Sequence, residues 1–539
     1  MNPSVGIDLG TTNTVVGIQV DHTGPRVLEI PQPVDVRNRF ELRDCIKSAV
    51  YFESADSAVV GAFAAHRIGA FKSIKSHMGL RWRMPHPHRE HILVTPAYIS
   101  AHILKLAHTE LLRQFPEWDQ SAIITVPASF NTDQRKDTLK AADMAGFMNV
   151  RLLDEPTAAF YYFFEQNRDL FRTTAEQRVL VFDFGGGTLD VSVIRVKEEG
   201  STLLVDAFGK SRYNNLGGDD IDVDLAAFLL ALWERQEGLR LEELPTTEQK
   251  SIFQLFLHRA SAYKEEAEFY LSSGQPLSEF ALEESISGTA KRSVQLQKRL
   301  AREHYEEITG RFFLESGDLN VFRPIGQALR IASSVLPGFK QEDVDFVLYT
   351  GGASRMLGVK AALESYFAPK QCFSITEEEA CNTVALGAAS CRFDEANSAG
   401  GVLMTHRLLE SILTREDETG AYVPIVPLTA EASSEFKEVS HRFVLQRSAV
   451  TLTLPLFRGS DAFDNDLMPM QDLMLNLPEV VSAGATYTLS YRITDDKTIQ
   501  VHARISTNSG KVISVGSELD IEQDARDVTT LRVPLARIN

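Results

Sequence analysis

Cysteine is scarce in this chain, and long uninterrupted apolar segments are missing. The four cysteines, Cys45, Cys372, Cys381 and Cys391, form no Cys-x-x-Cys pair, and they are too few for a disulfide framework. The longest apolar run, residues 225–233, is far shorter than the ~20 residues that span a bilayer. The N-terminal segment MNPSVGIDLG has no basic region and no long apolar stretch, so we predict no signal peptide. These absences argue against a disulfide-stapled secreted protein and a membrane protein, and they predict a cytoplasmic one.

Positive charge is also in short supply. The chain carries 55 Lys and Arg against 73 Asp and Glu in 539 residues, a formal net charge of −18. Binding to nucleic acid by phosphate neutralisation, and attraction to an anionic membrane surface, both require the opposite balance. We therefore expect neither nucleic acid nor a membrane as a partner. At roughly 150 residues per domain, the length predicts two to four structural units.

The first part of the chain alternates strands with helices. Residues 5–20 and 179–196 share one plan, in which a strand ends in Asp, a Gly/Thr turn follows and a second strand leaves. This internal repeat predicts two halves of like build. Together with the strand FVLYTGG at residues 346–352, it indicates an α/β architecture up to about residue 392. The amphipathic segments that predict helices cover residues 98–115, 131–145, 221–234 and 247–271.

The pattern changes after residue 392. Residues 392–405 are polar, small and Gly-rich, which is typical of a linker. Short runs rich in Val, Ile, Thr and Tyr then alternate with turn signals, which predicts an all-β unit of antiparallel strands. TDDK, residues 494–497, predicts a hairpin between two of them. The predicted domains are residues 1–392, a linker at 393–409 and a β domain at 410–539.

Seven of the thirteen histidines fall between residues 66 and 108, and the tract HPHREH at residues 86–91 resembles a metal-binding run. No Cys accompanies the tract. His102 and His108 lie six residues apart, so they do not share one helix face. We therefore predict a solvated loop here rather than a metal site.

Two Gly/Thr turns carry the chemistry that the sequence shows best. DLGTTNT (residues 8–14) and DFGGGTLD (residues 183–190) each place glycine after a strand that ends in Asp. Glycine lets backbone N–H groups approach phosphate oxygens without obstruction, and Asp can hold Mg²⁺ through its water shell. Either motif alone is also typical of an ordinary hairpin. The pair, one in each half, predicts two clamps that grip a diphosphate from opposite sides.

With TGGASR at residues 350–355, these turns resemble the fold shared by actin, sugar kinases and heat-shock ATPases. IDLGTTNT, ITVPASFNTDQR, LLDEPTAAF and FDFGGGTLDVSV make the chain similar to the seventy-kilodalton heat-shock, DnaK-like chaperone family, and NNLGGDDID and VALGAA support this. The resemblance covers most of residues 4–392, and residues 410–516 by strand pattern only. It implies an α/β fold class, with a two-lobed actin-like ATPase domain followed by an all-β sandwich domain.

The resemblance also implies roles for individual residues. Glu155 would order the metal and the attacking water, since a carboxylate accepts a hydrogen bond from water and orients its lone pair. Lys75 would stabilise charge on the transferred phosphoryl group, and the alternative for it is a solvated surface lysine. Pro127 and Arg135 would relay nucleotide state to the other domain, against the alternative of a strand-ending proline and a helix-surface arginine. The residues assigned to the reaction are Lys75, Glu155, Thr188 and Asp183, and those around the metal are Asp8, Asp183, Asp190 and Glu155.

The adenosine side departs from the family pattern. Glu268 stands where the family has a lysine whose stem packs on the adenine ring, and a glutamate cannot supply that cationic contact. We therefore expect weaker nucleotide binding, with Lys264 as the substitute one helical turn earlier. The residues that the resemblance assigns to the nucleotide are Gly10, Thr11, Thr12, Asn13, Gly185, Gly186, Gly187, Thr188, Gly217, Gly218, Glu265, Glu268, Ser272, Gly351, Gly352 and Arg355.

The function that the resemblance implies is an ATP-dependent chaperone. It would bind ATP or ADP with Mg²⁺, with K⁺ as a further candidate cation, and hydrolyse ATP slowly. Its partners would be unfolded or extended peptide clients and co-chaperones. A second hypothesis is a nucleotide-switched regulatory protein with one dedicated partner. Three departures from the family motivate it: Glu268, a linker with poor acidic flanks where the family has an acidic, leucine-rich one, and the 23 residues after Gly516, too few for the family's helical lid. A small-molecule kinase of the same superfamily is a third.

Overall fold

The computed structural model describes most of the chain. The described residues are 2–20, 24–33, 39–67, 69–80, 82–171, 176–199, 202–212, 216–287, 291–317, 319–374, 382–391, 402–405, 407–416, 419–428, 430–459, 467–470 and 472–516. Within them, no helix is long and apolar enough to cross a membrane.

Up to residue 390 the described chain contains both strands and helices. The elements up to residue 166 are β1 (Ser4–Leu9), β2 (Asn13–Gln19), β3 (Arg26–Val27), β4 (Ile30–Pro33), β5 (Phe40–Arg43), β6 (Ile46–Lys47), β7 (Val50–Ser54), β8 (Ser57–Val60), α1 (Ala62–Ala65), β9 (Met84–His86), β10 (Arg89–Val94), α2 (Pro96–Gln114), β11 (Ser121–Val126), α3 (Thr132–Ala145), β12 (Asn149–Asp154) and α4 (Glu155–Gln166). Those that follow are β13 (Gln177–Phe184), β14 (Leu189–Glu199), β15 (Thr202–Lys210), α5 (Gly218–Glu237), α6 (Thr246–Ser272), β16 (Glu279–Ser287), β17 (Lys291–Arg299), α7 (Arg302–Gly310), α8 (Phe322–Val335), β18 (Phe346–Thr350), α9 (Leu357–Phe367), β19 (Gln371–Ser374) and α10 (Thr383–Ser390). The four predicted helical segments are confirmed as α2, α3, α5 and α6.

The first sheet has the strand order β12-β11-β1-β2-β3, with β6 also paired to β2. Strand β1 runs parallel to β11 and antiparallel to β2, and β11 runs parallel to β12. Parallel strands end at the same edge of a sheet. The last residues of β1, β11 and β12, which are Leu9, Val126 and Asp154, therefore lie side by side. The first Gly/Thr turn, Pro127 and Glu155 directly follow these three residues, so the topology places them at one edge of the sheet.

The second sheet repeats this topology as β19-β18-β13-β14-β15, with one further strand beyond β15. Strand β13 is antiparallel to β14 and parallel to β18, and its register sets Asp183 beside both Asp190 and Thr350. The predicted internal repeat is thus a repeat of strand order. Buried Val, Ile, Leu and Phe side chains fill the space between each sheet and its helices.

Helix α10 packs closely against the first sheet. A Cβ atom on Gly6 would lie 2.2 Å from the backbone nitrogen of Ala389, and one on Gly17 would lie 2.5 Å from the carbonyl oxygen of Ala385. Contacts this short exclude any side chain at the two strand positions. The small residues of TVALGAAS therefore let the helix backbone lie directly on β1 and β2.

Beyond residue 407, the described residues form strands joined by turns and loops, with no helix among them. The strands are β21 (Ser411–Arg415), β22 (Tyr422–Val426), β23 (Lys437–Val444), β24 (Ala449–Leu454), β25 (Leu456–Gly459), β26 (Met468–Pro469), β27 (Leu473–Val481), β28 (Thr486–Ile493), β29 (Ile499–Ser506) and β30 (Val512–Gly516). They form antiparallel sheets of order β22-β21-β25-β26, β23-β28-β29-β30 and β24-β27 around one apolar core. The hairpin predicted at TDDK is confirmed, since β28 pairs with β29 up to Ile493 opposite Ile499. Residues 517–539 lie outside the described residues, as does the question of a lid.

One part of the segment predicted as linker is a strand. Residues 402–405 form β20 (Val402–Thr405), which pairs in parallel with β15, Leu203 opposite Val402. The sequence VLMT contains Val and Thr, residue types that are enriched in strands, so a stretch whose composition is typical of a linker ends in a strand. Leu408 and Leu409 are buried. Residues 392–401 and 406, the rest of the Gly-rich stretch, lie outside the described residues.

The prediction of a solvated loop for the histidine tract is wrong for His86. Strands β9 and β10 form a hairpin, and His86 on it is 1% exposed, with its ring centroid 4.4 Å from that of Phe52. His102 and His108 on α2 are also buried. The hairpin turns one face of the tract inward, so a polar sequence still contributes a core side chain.

Candidate functional site

The two Gly/Thr turns face each other. A Cβ on Gly186 would lie 2.3 Å from Oγ1 of Thr12, and one on Gly187 would lie 2.8 Å from Cγ2 of Thr11. Glycine is therefore required where the second turn meets the threonines of the first. This is the opposed arrangement that the sequence predicts for a pair of phosphate clamps.

Hydrogen bonds hold the first turn in shape. The Ser48 hydroxyl donates to the carbonyl oxygen of Gly10 at 2.8 Å, and the Ser48 backbone N–H donates to that of Thr12 at 2.9 Å. Ser48 also shares a 3.0 Å hydrogen bond with Thr14. A residue some 35 positions away thus fixes the backbone beside Asn13, and nothing in the local sequence signals this role.

The second turn is held from two sides. Its Gly185 N–H donates to the Thr188 carbonyl at 3.0 Å, and the first N–H groups of α5 donate to the turn, Gly218 to Gly185 and Asp219 to Gly186. A Cβ on Gly217 would lie only 2.1 Å from the Gly186 oxygen. The start of α5 therefore packs directly against the turn.

The glycines after β18 lie beside the two Gly/Thr turns and form a third wall of the candidate site. Gly351 has a φ of 88°, and a Cβ there would lie 2.6 Å from Oδ1 of Asp183. Both the left-handed backbone and the close approach require glycine. Gly352 and Arg355 follow and are exposed.

Four carboxylates and one lysine meet at the ends of the strands. Asp8, Asp183 and Asp190 lie on the sheets, and Glu155 is the first residue of α4. Asp183, Asp190 and Glu155 are buried, and Asp8 is partly buried. The Lys75 ammonium forms an ion pair with Glu155, and the two side chains are 6% and 8% exposed. The alternative of a solvated surface lysine is therefore wrong.

This cluster has an excess of negative charge, since one lysine faces four carboxylates. Burial and the charges of Asp8 and Asp190 raise the pKa of Asp183 to about 7. Burial likewise raises the pKa of Glu155 well above its usual value, and Lys75 offsets this only in part. Although burial lowers the pKa of Lys75, the charges of Glu155 and Asp8 outweigh it and raise the value. The cluster keeps its lysine charged and resists the full ionisation of its acids.

A divalent cation would relieve this excess. Asp190 accepts a hydrogen bond from the Ser129 N–H at 3.4 Å through Oδ1, while its buried Oδ2 has no partner within the described structure. Carboxylate oxygens are the donors that Mg²⁺ prefers, and this ion keeps several of its waters. Among the described residues, no group of three or more His, Cys, Asp or Glu is placed to ligate one ion directly. The donor set therefore fits Mg²⁺ held through water.

Pro127 and Arg135 lie beside the cluster. The Pro127 carbonyl accepts from the Phe130 N–H at 3.0 Å, in the turn between β11 and α3. Arg135 is 2% exposed, so the alternative of a helix-surface arginine is wrong. It donates to Oδ1 of Asp154 at 2.7 Å. Asp154 is a residue that the sequence reasoning missed, and its position next to Glu155 was the available signal.

The residues assigned to the adenosine side are only partly brought together. Glu268 accepts from the Tyr305 hydroxyl at 2.8 Å and from the Leu357 N–H at 3.0 Å, so it joins α6 to α7 and α9. Lys264, expected as a substitute for the missing lysine, pairs with Asp222 at 2.7 Å and donates to the carbonyl oxygen of Gly218 at 2.8 Å. Glu265 and Ser272 are exposed on the same helix.

Comparison with known proteins gives a consistent result. The family described as Hsp70 protein matches residues 83–392. The chain belongs to the Hsp70 family. It is 30% identical to the chaperone protein DnaK of Thermosipho melanesiensis over 436 residues, 78% of this chain and 65% of that protein. It is 29% identical to DnaK of Mycoplasmopsis agalactiae over 468 residues, 86% of this chain and 70% of that protein. The chain thus spans less than two thirds of the length of the first of these two relatives, and 58% of the chaperone protein DnaK of Thermotoga petrophila.

Proposed function

We propose that this Hsp70-family protein is an ATP-dependent chaperone that binds and slowly hydrolyses ATP. The observation that carries the proposal is the pair of opposed glycine turns, Gly186 and Gly187 against Thr12 and Thr11, beside a buried carboxylate cluster. Backbone N–H groups of such turns suit phosphate oxygens. The DnaK relatives favour a chaperone over a switch with one dedicated partner.

In this proposal residues 1–392 form a two-lobed actin-like ATPase domain, residues 393–409 a linker and residues 410–539 a β-sandwich domain. The residues that would hold Mg²⁺ through water are Asp8, Asp183, Asp190 and Glu155. When bound, Mg²⁺ neutralises charge on the phosphate oxygens. Lys75 would stabilise the transferred phosphoryl group, and K⁺ remains a prediction.

Glu155 would orient the attacking water. Its carboxylate is buried and its pKa is raised, which suits a group that accepts a proton or a hydrogen bond from water. The turns would exclude bulk water by closing on the phosphates from both sides, and Thr188 would hydrogen-bond the terminal phosphate.

The β domain would bind an extended client. A cavity of about 650 Å³ lies between β21, β23 and β24, lined by apolar side chains such as Phe443, Leu452 and Tyr487 and by the charged Arg415 and Glu416. An extended peptide can add hydrogen bonds to a strand edge while its side chains enter such a groove. Clients and co-chaperones both belong to this proposal.

Phosphate release tests the ATPase. Thr188→Ala and Glu155→Gln should each slow single-turnover ATP hydrolysis, on the order of 10²-fold for a positioned acid–base group. Thr247→Ala is the control, since Thr247 is exposed on α6. Equal release from both site variants and the control would refute the assignment. Binding of a panel of unstructured peptides to the full chain would test whether the protein binds clients. A chaperone should bind many of the peptides, whereas a switch with one dedicated partner should not.

A further inference from the structure

The start of α5 sets the direction of the second Gly/Thr turn. The Gly218 N–H donates to the carbonyl oxygen of Gly185 at 3.0 Å, and the Asp219 N–H donates to that of the next glycine at 2.7 Å. In a trans peptide bond the carbonyl and the following N–H point in opposite directions. The N–H groups of Gly186 and Gly187 therefore point away from α5, and the proposed function offers them to phosphate oxygens.

One lysine of α6 holds this start of α5 in place. The Lys264 ammonium donates to the carbonyl oxygen of Gly218 at 2.8 Å, and its Nζ lies 2.7 Å from Oδ1 of Asp222 in an ion pair. The side chains of Lys264 and Asp222 are 12% and 7% exposed. Oδ1 of Asp222 makes no hydrogen bond to another described residue, so the ammonium compensates for its burial.

The ammonium fits closely into its place. A Cβ on Gly218 would lie 3.0 Å from Nζ of Lys264 and 3.4 Å from Cβ of Ala353. Ala353 belongs to the turn after β18, which contributes the third wall of the candidate site. Lys264 therefore reaches the point where α5, α6 and that wall meet, and a side chain at position 218 would crowd it.

Acidic side chains surround the same point. Asp219, Asp220 and Asp222 all lie within the first five residues of α5. Burial and the charge of Asp222 raise the pKa of Asp219 to about 6, whereas Lys264 acts in the opposite direction. Asp220 serves as a cap, since its carboxylate accepts from the Gly217 N–H at 2.8 Å. Lys264 thus balances the other two carboxylates, and its loss would leave them in repulsion at the start of the helix.

We propose that Lys264 is a positioning residue for the second Gly/Thr turn: by holding the Gly218 carbonyl and neutralising Asp222, its ammonium keeps the start of α5 against the turn and the N–H groups of the turn directed at phosphate. The effect on phosphate binding rests on the proposed function, whereas the link from Lys264 to the turn does not.

The test measures the affinity of the full chain for a fluorescent ADP in Mg²⁺ buffer. Lys264→Ala removes the ammonium with its alkyl stem, so added propylammonium can return what the substitution takes away. Tetramethylammonium is the control cation, because it carries the same charge and cannot donate a hydrogen bond. Lys250→Ala is the matched control variant, since Lys250 is exposed on the same helix. Hydrogen exchange of the Gly218 and Asp219 amides without nucleotide reports on the contact between α5 and the turn.

Lys264→Ala should bind ADP about tenfold more weakly, as expected for the loss of one hydrogen bond from a charged donor. Propylammonium should restore most of this loss, and tetramethylammonium should restore none of it. Lys250→Ala should stay within about twofold of the wild type. Exchange of both amides should be faster in Lys264→Ala. Equal affinities of the two variants, or a loss that propylammonium does not reduce, would overturn the inference.

A folding failure and a failure of the proposed function give different results. If Lys264→Ala does not fold, Lys264→Met combined with Asp222→Asn removes the buried charges as a pair. Wild-type affinity in that folded double variant would overturn the inference, and a loss of about tenfold would support it. If the wild type binds no nucleotide, the proposed function is wrong and amide exchange decides the inference alone. Faster exchange at Gly218 and Asp219 in Lys264→Ala would then support it, and exchange equal to that of Lys250→Ala would overturn it.

Discussion

Gly186→Ala should separate the two Gly/Thr turns. The new Cβ would lie 2.3 Å from Oγ1 of Thr12 and 3.3 Å from its Cβ. An ordinary contact needs about 3.4 Å or more, so either the turns move apart by about 1 Å or the Thr12 side chain rotates and carries its hydroxyl away. Both responses displace a group that the proposed clamp needs.

The expected result is a loss of nucleotide affinity. A misplacement of about 1 Å costs on the order of 10²-fold where groups must be aligned, and overpacking costs roughly 1–3 kcal/mol of stability. The assay is titration of the full chain with a fluorescent ADP in Mg²⁺ buffer. Gly185→Ala is the control within the same turn, because its Cβ would meet nothing closer than the Thr188 carbonyl at 3.6 Å.

A double variant sharpens the test. In a Thr12→Ala background the clashing oxygen is gone, so adding Gly186→Ala should cost no more than about twofold, a strongly non-additive result for residues in contact. Equal affinities for Gly186→Ala and Gly185→Ala would refute the reasoning that the turns oppose each other. Additive losses in the double variant would show that Thr12 is not the side chain that Gly186 meets.

Two further predictions concern other parts of the molecule. Burial lowers the pKa of His102 to about 4 from 6.5. The stability that neutral His102 contributes is therefore complete above pH 6.5 and falls by about 3 kcal/mol as the pH drops to 4. Hydrogen exchange of α2 should show that the unfolding free energy loses this part of its pH dependence in His102→Phe but keeps it in the control His91→Gln, since His91 is exposed. Glu268→Lys removes the acceptor for the Tyr305 hydroxyl and the Leu357 N–H and should cost about 2 kcal/mol. It should not tighten nucleotide binding although it restores the family's lysine, and an affinity gain at unchanged thermal stability would contradict this.

Local sequence patterns determined the elements of the site. Residues 8–14 and 183–190 combine a β-branched run with Gly and Thr, and both form the predicted strand–turn–strand units. The hairpin at TDDK is likewise a short-range feature and appears as predicted. Such elements can be predicted from the sequence because each depends on the backbone preferences of neighbouring residues.

Side-chain environments were predictable only in part. Only the family resemblance points to Arg135 and Lys75 in the sequence, and it leaves a surface location possible for both. The structure shows that they are buried, with 2% and 5% of their surface exposed. The prediction for His86 is wrong because its polar neighbours do not show the alternation of inward and outward residues that the hairpin has. The exposure of a residue depends on which side chains pack over it, and these belong to segments that are distant in the sequence.

The sequence alone determined that this protein has two glycine turns after Asp-ended strands, an α/β first part and a β-rich second part. Only the tertiary structure decided which side chains meet there. Lys75 reaches Glu155 across 80 positions, and Lys497 reaches Asp154 across 343. Strand register and sheet-edge docking create these pairs, because they bring together residues whose own neighbours in sequence carry no trace of the contact.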